Sequence, residues 1–324
     1  MINRSDIAIH LEKSIRTGFL VGKNDYAPLR SPFTREVPSD GAFETYGDMG
    51  STPWPYQNAG KPGAAGTDPR LGAPRVNDMT SGHQIQIIGG AEKGMIVYNV
   101  DWEIALGITH NAIDDDRAGD LEAWAKSAGS NFEKHKDFLA FDALNSGGAI
   151  TNYGAAYDGL SFFNDAHVDA GEPYQTVQDN SFALALSLDN YDTVAVAASK
   201  FMNGQGKPVG LNHNLLIVPR DLNRIATQIT DNPEDYTTAD RERNPFAGQV
   251  TKLVAPGGWI DSTAWFVIDT SLPQKPINIQ MRKQPELVIW DDEFAGDGGV
   301  RYFKWHSRLA VFYGDWRTAV QGNT

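Results

Sequence analysis

Three places in this chain bring oxygen- and nitrogen-bearing side chains together closely enough to suggest chemistry. The first is Asp114-Asp115-Asp116 with Asp120 and Glu122, residue types suited to a divalent cation or to paired-carboxylate acid–base work. Contiguous aspartates point in different directions and seldom close one coordination shell. Acidic residues at a helix start are also favoured by the helix dipole alone. The second is Asp291, Asp292, Glu293 and Asp297 in DDEFAGDGG. A calcium loop needs acceptors at alternating positions, Gly at the sixth and Glu at the twelfth; this run lacks that order and reads as a turn between strands. The third is Asp165 and His167 in NDAH, with Ser161 as a neighbouring hydroxyl. It has no G-x-S-x-G elbow, and closeness in sequence does not make a triad. The seven histidines (10, 83, 110, 135, 167, 213 and 306) are spread singly, with no H-x-x-x-H pair. GQGKPVG at 204–210 is neither a dinucleotide fingerprint nor a phosphate loop. The sequence therefore assigns no catalytic residue, no cofactor-binding residue and no metal ligand, and an enzyme is not expected.

The elements around these residues are better specified than the residues themselves. From Ile7 to Phe19 the apolar spacing is loosely helical or extended, with Asp6 available as a cap. Residues 27–51 contain Pro32 and Pro38, show no period and read as an extended arm. Residues 47–90 hold nine Gly and five Pro, including PWPYQNAGKPGAAGTDPRLGAP. That composition favours neither long helices nor a core of its own; a projecting hairpin-like loop that gains order from neighbouring subunits is expected over the alternative of a disordered linker, because isolated linkers seldom carry exposed aromatics such as Trp54 and Tyr56. Gln84–Ile88 and Gly94–Ile108 read as strands returning from it.

Leu121, Trp124, Ala128, Phe132, His135 and Leu139 recur at intervals of three and four, predicting a long helix over about 116–146 that Gly147-Gly148 stops. Next come a strand or helix entry at Ser181–Leu188 and a helix to Met202 capped by Asn190. Leu215–Val218 reads as a strand, and Asp221 begins a further helix. Strands are then predicted at Gln249–Val254, Ala264–Asp269, Pro276–Met281, Glu286–Trp290 and Val300–Tyr313. In the last of these Phe303, Trp305, Leu309, Val311 and Tyr313 share one face, and Lys304, His306 and Arg308 the other.

Composition narrows the function classes. At 324 residues the chain exceeds a typical single domain, and two lobes are expected. The absence of cysteine excludes a disulfide framework and a thiolate zinc site. No run approaches the length of a membrane span, and MINRSDIAIHLEKSIRTGF is amphipathic and charged, unlike a secretory signal. A formal net charge of −13 argues against a nucleic-acid reader, and only Arg301, Lys304 and Arg308 approach a basic grouping. An acidic inner wall suits a container that must not hold its nucleic acid tightly.

Several segments carry a family resemblance: NVDWEIALGITHNAIDDDRAGDL (99–121), AYDGLSFFNDAH (156–167), NHNLLIVPRDLNRIA, NPFAG, WFVIDTSLPQKPINIQMRKQPEL and YGDWRTAV. In this order and spacing the chain, over about residues 95–324, resembles the Mu-type major head subunit family of tailed bacteriophages. The resemblance implies an α+β fold of the Hong Kong 97 capsid type. Its parts would be an N-terminal arm at 1–46, an E-loop at 47–98, a peripheral domain at 99–188 and 286–324 with a spine helix at about 116–146, and an axial domain at 189–285. It further implies a virion protein assembled in the host bacterial cytoplasm as homo-hexamers and homo-pentamers around double-stranded DNA, which it touches only non-specifically. The expected partners are a separate scaffold, a maturation protease, a portal and a decoration protein; no membrane is involved. The scaffold is expected to be separate because the N-terminal region is short. An encapsulin-type bacterial nanocompartment of the same fold is the alternative, and a carboxylate-based hydrolase is the rival from another class.

Overall fold

The computed structural model describes residues 4–46, 75–77, 84–86, 95–111, 118–168, 176–204, 206–234, 243–292 and 299–324. The chain divides into two compact units: Met1–Glu44 with Val97–Phe141 and Ile279–Val311, and Thr45–Ile96 with Asp142–Asn278 and Phe312–Thr324.

The first unit packs two helices on a sheet. Helix α1 spans Arg4–Asp25 and α2 spans Ala118–Asn145. The strands β1 (Thr34–Pro38), β11 (Ile277–Asp292), β12 (Val300–Tyr313) and β6 (Val100–Thr109) lie in the order β1-β11-β12-β6. β12 and β6 are antiparallel, with Val300 opposite Thr109 and Leu309 opposite Val100. Alternation along β12 sends Phe303 and Trp305 inward, where they meet Ile15 and Phe19 of α1, Ala125, Ala128 and Phe132 of α2, and Ile108. Lys304, His306 and Arg308 lie on the other face beside Glu103 and Asp101. Over 303–308 this is the two-faced strand that the sequence predicts; from Leu309 to Tyr313 both faces are buried.

The N-terminal region departs from expectation. The segment from Ile7 to Phe19, read as loosely helical or extended, lies in a 22-residue helix whose Ile15 and Phe19 are core residues. The reason is a glycine seam: added Cβ atoms at Gly22 and Gly129 would overlap the backbone carbonyls of Lys126 and Phe19. The two helices therefore touch backbone to backbone. Beyond α1, Arg30 and Phe33 are buried and β1 joins the sheet, so residues 27–38 are tied down as well. Helix α2 falls where a long helix is predicted.

The second unit is built on a five-stranded sheet. Its strands are β7 (Ser181–Phe182), β8 (Leu215–Val218), β9 (Thr251–Val254), β10 (Trp265–Ile268) and β13 (Ala319–Gly322), in the order β7-β13-β10-β8-β9. β10 is antiparallel to β13 and β8, and β8 is parallel to β9. Central strands β8 and β10 are continuously buried, which fits their unbroken apolar runs LLIV and WFVI. Helices α3 (Leu188–Ser199) and α4 (Asn223–Thr230) belong to this unit. The cap of α3 is Ser187, whose hydroxyl accepts from the Asn190 amide; Asn190, the expected cap, lies inside the helix. Phe163 packs on Phe162 and Phe266, and Phe162 stacks on Tyr313, so 142–188 shares a core with this sheet. The two compact units change over near 141 and 278.

Two short ribbons complete the described structure. β2 (Phe43–Tyr46) pairs with β5 (Met95–Tyr98), and β3 (Arg75–Asn77) pairs antiparallel with β4 (Gln84–Gln86). The rest of the expected E-loop lies outside the described residues. Among the described residues, no helix is long and apolar enough to cross a membrane.

Candidate functional site

Among the described residues, His167 and Ser161 have structural occupations. His167 is fully buried, and its Nδ1 lies 2.6 Å from an Asp158 carboxylate oxygen rather than beside Asp165. Its Nε2 is 3.1 Å from the Phe162 carbonyl, and its ring stacks on Trp316 at 4.2 Å. The Ser161 hydroxyl, the nearest candidate nucleophile, donates instead to the Phe163 carbonyl. With both ring nitrogens occupied by the fold, the imidazole has no position open to a substrate. Arg317 closes the same knot: its guanidinium lies over Trp316 and bonds the Tyr157 hydroxyl and, at 3.1 Å, the Asp315 carboxylate. The matching signal in the sequence was AYDGLSFFNDAH itself, which contains both Asp158 and His167.

Asp114, Asp115 and Asp116 lie outside the described residues, as do Glu293 and Asp297. Asp120 is exposed in the first turn of α2, and Glu122 accepts the Ser14 hydroxyl at 2.8 Å. Asp291 pairs with Arg301 across the loop mouth at 2.8 Å. Among the described residues, no group of three His, Asp or Glu side chains could hold a metal ion.

The polar groups that matter most were not singled out in the sequence. Arg30 lies buried between Asp137 at 2.7 Å, Glu133 at 2.9 Å and Glu36 at 2.9 Å, and Lys136 bridges Glu133 and Glu36. Asp137 also accepts the Tyr26 hydroxyl and the Leu29 amide, each at 2.8 Å. Burial opposes charge on the guanidinium, but the bonds to Asp137, Glu36 and Glu133 outweigh it and raise its pKa. The available signal was Glu133, Lys136 and Asp137 on the turn between the core residues Phe132 and Leu139.

A second polar knot joins residues 39–44 to Asn99 and Gln280. One Glu44 carboxylate oxygen accepts from the Ser39 hydroxyl and the Asp40 and Gly41 amides at 2.8–2.9 Å. The Gly41 bond is the chief cause of a lowered Glu44 pKa. The Asn99 amide donates to Ser39 and Gly41 at 3.0 Å and accepts from Gln280 at 2.8 Å. These segments are thus fastened to each other and to β11. The side chains beside this knot, Phe43 and Tyr98, are exposed.

A groove of 280 Å³ runs between β6 and α2, lined by Trp102, Glu103, Ile104, Asn131, Phe132 and His135. The His135 Nε2 is buried there without a hydrogen-bond partner, its ring edge-on to Trp102 at 4.3 Å, and burial pushes its pKa down. A neutral imidazole beside an indole is a packing arrangement; no nucleophile stands next to it.

Residues 74–183 match the family model described as Mu-like prophage major head subunit gpT. No curated protein matches by sequence. The fold is similar to a chain of the procapsid of bacteriophage JBD30, at 18% identity over 100% of this chain and 76% of that one, with a TM-score of 0.56. A chain from Mycobacterium phage Patience matches at 10% identity over 100% and 90%, TM-score 0.52. A chain from the JBD30 capsid decorated with minor capsid protein trimers matches at 19% identity over 73% and 92%, TM-score 0.51. The fold is that of phage capsid proteins of the Hong Kong 97 type, and with the head-subunit match it supports a tailed-phage major capsid protein.

Proposed function

We propose that this chain is the major head subunit of a tailed phage, joining as hexamers and pentamers into an icosahedral shell around double-stranded DNA. The observation that carries the reading is the head-subunit match over 74–183, which comes from sequence and is independent of the fold. Family and fold are those of structural capsid proteins, and in this reading the chain has no catalytic role.

Within it, the first unit is the peripheral domain with α2 as its spine helix, and the sheet of the second unit belongs to the axial domain. Residues 47–98 are the E-loop and residues 1–46 the N-terminal arm. One subunit must fit five- and six-membered rings, so the rigidity supplied by the Arg30 and Glu44 knots belongs inside each copy. Adaptation belongs to the contacts between copies, which in obligate assemblies bury upwards of about 2,000 Å². The net charge of −13 keeps contact with packaged DNA weak and non-specific. A separate scaffold, a maturation protease and a portal complete the assembly in the host cytoplasm. A decoration protein fits the decorated state of the JBD30 capsid.

An encapsulin-type compartment shares the architecture, and the head-subunit match favours the phage reading over it. Light scattering and negative-stain microscopy of the purified chain test the proposal. Closed shells, or rings of five and six, are expected. A chain that stays monomeric at high concentration refutes it, and shells that capture an enzyme cargo from the host favour the compartment.

A further inference from the structure

We propose that residues 312–322 act as a latch: the second unit reaches its fold only when this segment inserts, and a subunit becomes competent for the shell at that step. The inference rests on the shell-forming reading and adds the step that admits a chain to it.

The segment is separated from the rest of its unit by residues 279–311, which belong to the first unit. It nevertheless supplies an interior strand, since β13 lies between β7 and β10. Trp316, Arg317, Thr318, Ala319 and Val320 are all 0% exposed. Without the segment β10 keeps β8 on one side and has an unpaired edge on the other. A strand drawn in from so far along the chain carries a high closure cost and forms late.

Clasps to separate stretches of the unit hold the segment. The Asn180 side-chain amide donates to the carbonyls of Phe162, Trp316 and Ala319 at 3.0–3.2 Å, and its oxygen accepts from the Asn164 amide. The Arg317 guanidinium reaches Tyr157, Asp315 and the Met202 carbonyl, and a His213 ring nitrogen lies 3.1 Å from the Arg317 carbonyl. Gly322 lies so close to Trp265 that an added Cβ would overlap the ring, which is held by its bond to the Leu184 carbonyl. Arg317 and Asn180 find their full set of partners only when the segment is seated. Burying either group short of partners is costly, so partial insertion is disfavoured. The first unit waits on the same part of the chain, because Phe303 and Trp305 of β12 fill its core. During synthesis neither core is whole until residues 300–322 have emerged. In a shell of many copies this keeps partial chains out of the rings.

The chain has no cysteine, so Val320→Cys places a single thiol in the latch. The full-length variant is refolded with N-ethylmaleimide added at successive times, and particles and supernatant are compared by mass spectrometry. Chains modified at 320 should be lost from the particles and retained in solution; modified chains that enter shells in the proportion present in solution overturn the inference. Pulsed hydrogen exchange during refolding of the parent tests the latch without assembly. Amides of β8 and β10 should gain protection in one step with those of β13, and protection of β8 and β10 ahead of β13 overturns it. Asn180→Asp turns a carboxylate onto three carbonyls at unchanged size, and should lose both that protection and assembly. If either stays at the parent's level, the clasp is refuted. A parent chain that forms no particles refutes the shell reading, whereas the order of exchange decides the latch in either case.

Discussion

Replacing Trp305 by alanine tests the packing of the first unit directly. Trp305 is 1% exposed, stacked on Phe19 at 4.9 Å and 12°, and 5.4 Å from Trp124. An aromatic of this size buries roughly 150–250 Å². At about 25 cal/mol per Å² that gives roughly 4–6 kcal/mol, and a compact unfolded chain trims it by some 10–40%. The expected loss is therefore about 3–5 kcal/mol, the range observed for Trp and Phe truncations in cores. Such a loss is a large share of a domain's net stability, typically about 5–15 kcal/mol. The control is the adjacent Lys304, 28% exposed and paired with Glu103 at 3.0 Å. Exposed ion pairs contribute little, so Lys304→Ala should change stability by less than about 1 kcal/mol. Denaturant melts under non-assembling conditions, followed by tryptophan fluorescence and circular dichroism, compare the two. Equal losses at 304 and 305, or a loss below about 1 kcal/mol at 305, would refute the one-sided burial of β12.

Three further outcomes follow from the buried polar groups and the glycine seam. Asp137→Ala leaves Arg30, the Tyr26 hydroxyl and the Leu29 amide short of an acceptor, and chemical melts should show a loss of about 3–5 kcal/mol; Glu36→Gln, at the exposed end of the cluster, should lose under about 1 kcal/mol. Gly22→Ala sets two effects against each other: helix propensity favours alanine by about 1 kcal/mol, whereas the clash with the Lys126 carbonyl predicts a net loss of about 1–3 kcal/mol, so a raised melting temperature would contradict the seam. His213 and His135 both have pKa values lowered by burial, so the unfolded chain binds protons first. Stability should then fall as pH drops below the ordinary histidine value of about 6.5, and His213→Leu should flatten that slope in pH-dependent melts.

How much of this could be read from the sequence depended on whether the signal was periodic. β12 and β8 were legible because their apolar residues alternate or run unbroken over the full strand, and α2 because its 3–4 spacing persists from Leu121 to Leu139. β11 was read as two strands because Pro285 interrupts it. In the fold, β1 has ended by then, its last bond being the Ser39 amide to the Met281 carbonyl, so no donor is needed at 285 on that side. α1 was underestimated for a related reason. Its inner face uses Gly18 and Gly22 where large apolar residues would normally announce a buried stripe, and glycine reads locally as a breaker. The partners of the candidate residues were hidden for a different reason. Asp165 and Ser161 drew attention to His167 by closeness in sequence, but the imidazole's partners, Asp158 and Trp316, come from a turn nine residues back and a segment near the C-terminus. The same holds for Arg30, whose acids Glu133 and Asp137 lie about a hundred positions away. A charged side chain in an aperiodic stretch shows nothing locally of being buried, since the reason for its burial is spelled out on another element. For a shell subunit this has a consequence: the groups that set its rigidity are the ones a motif search passes over, and the exposed pairs Phe43–Tyr98 and Leu20–Val21 emerge only after the fold has shown what remains uncovered.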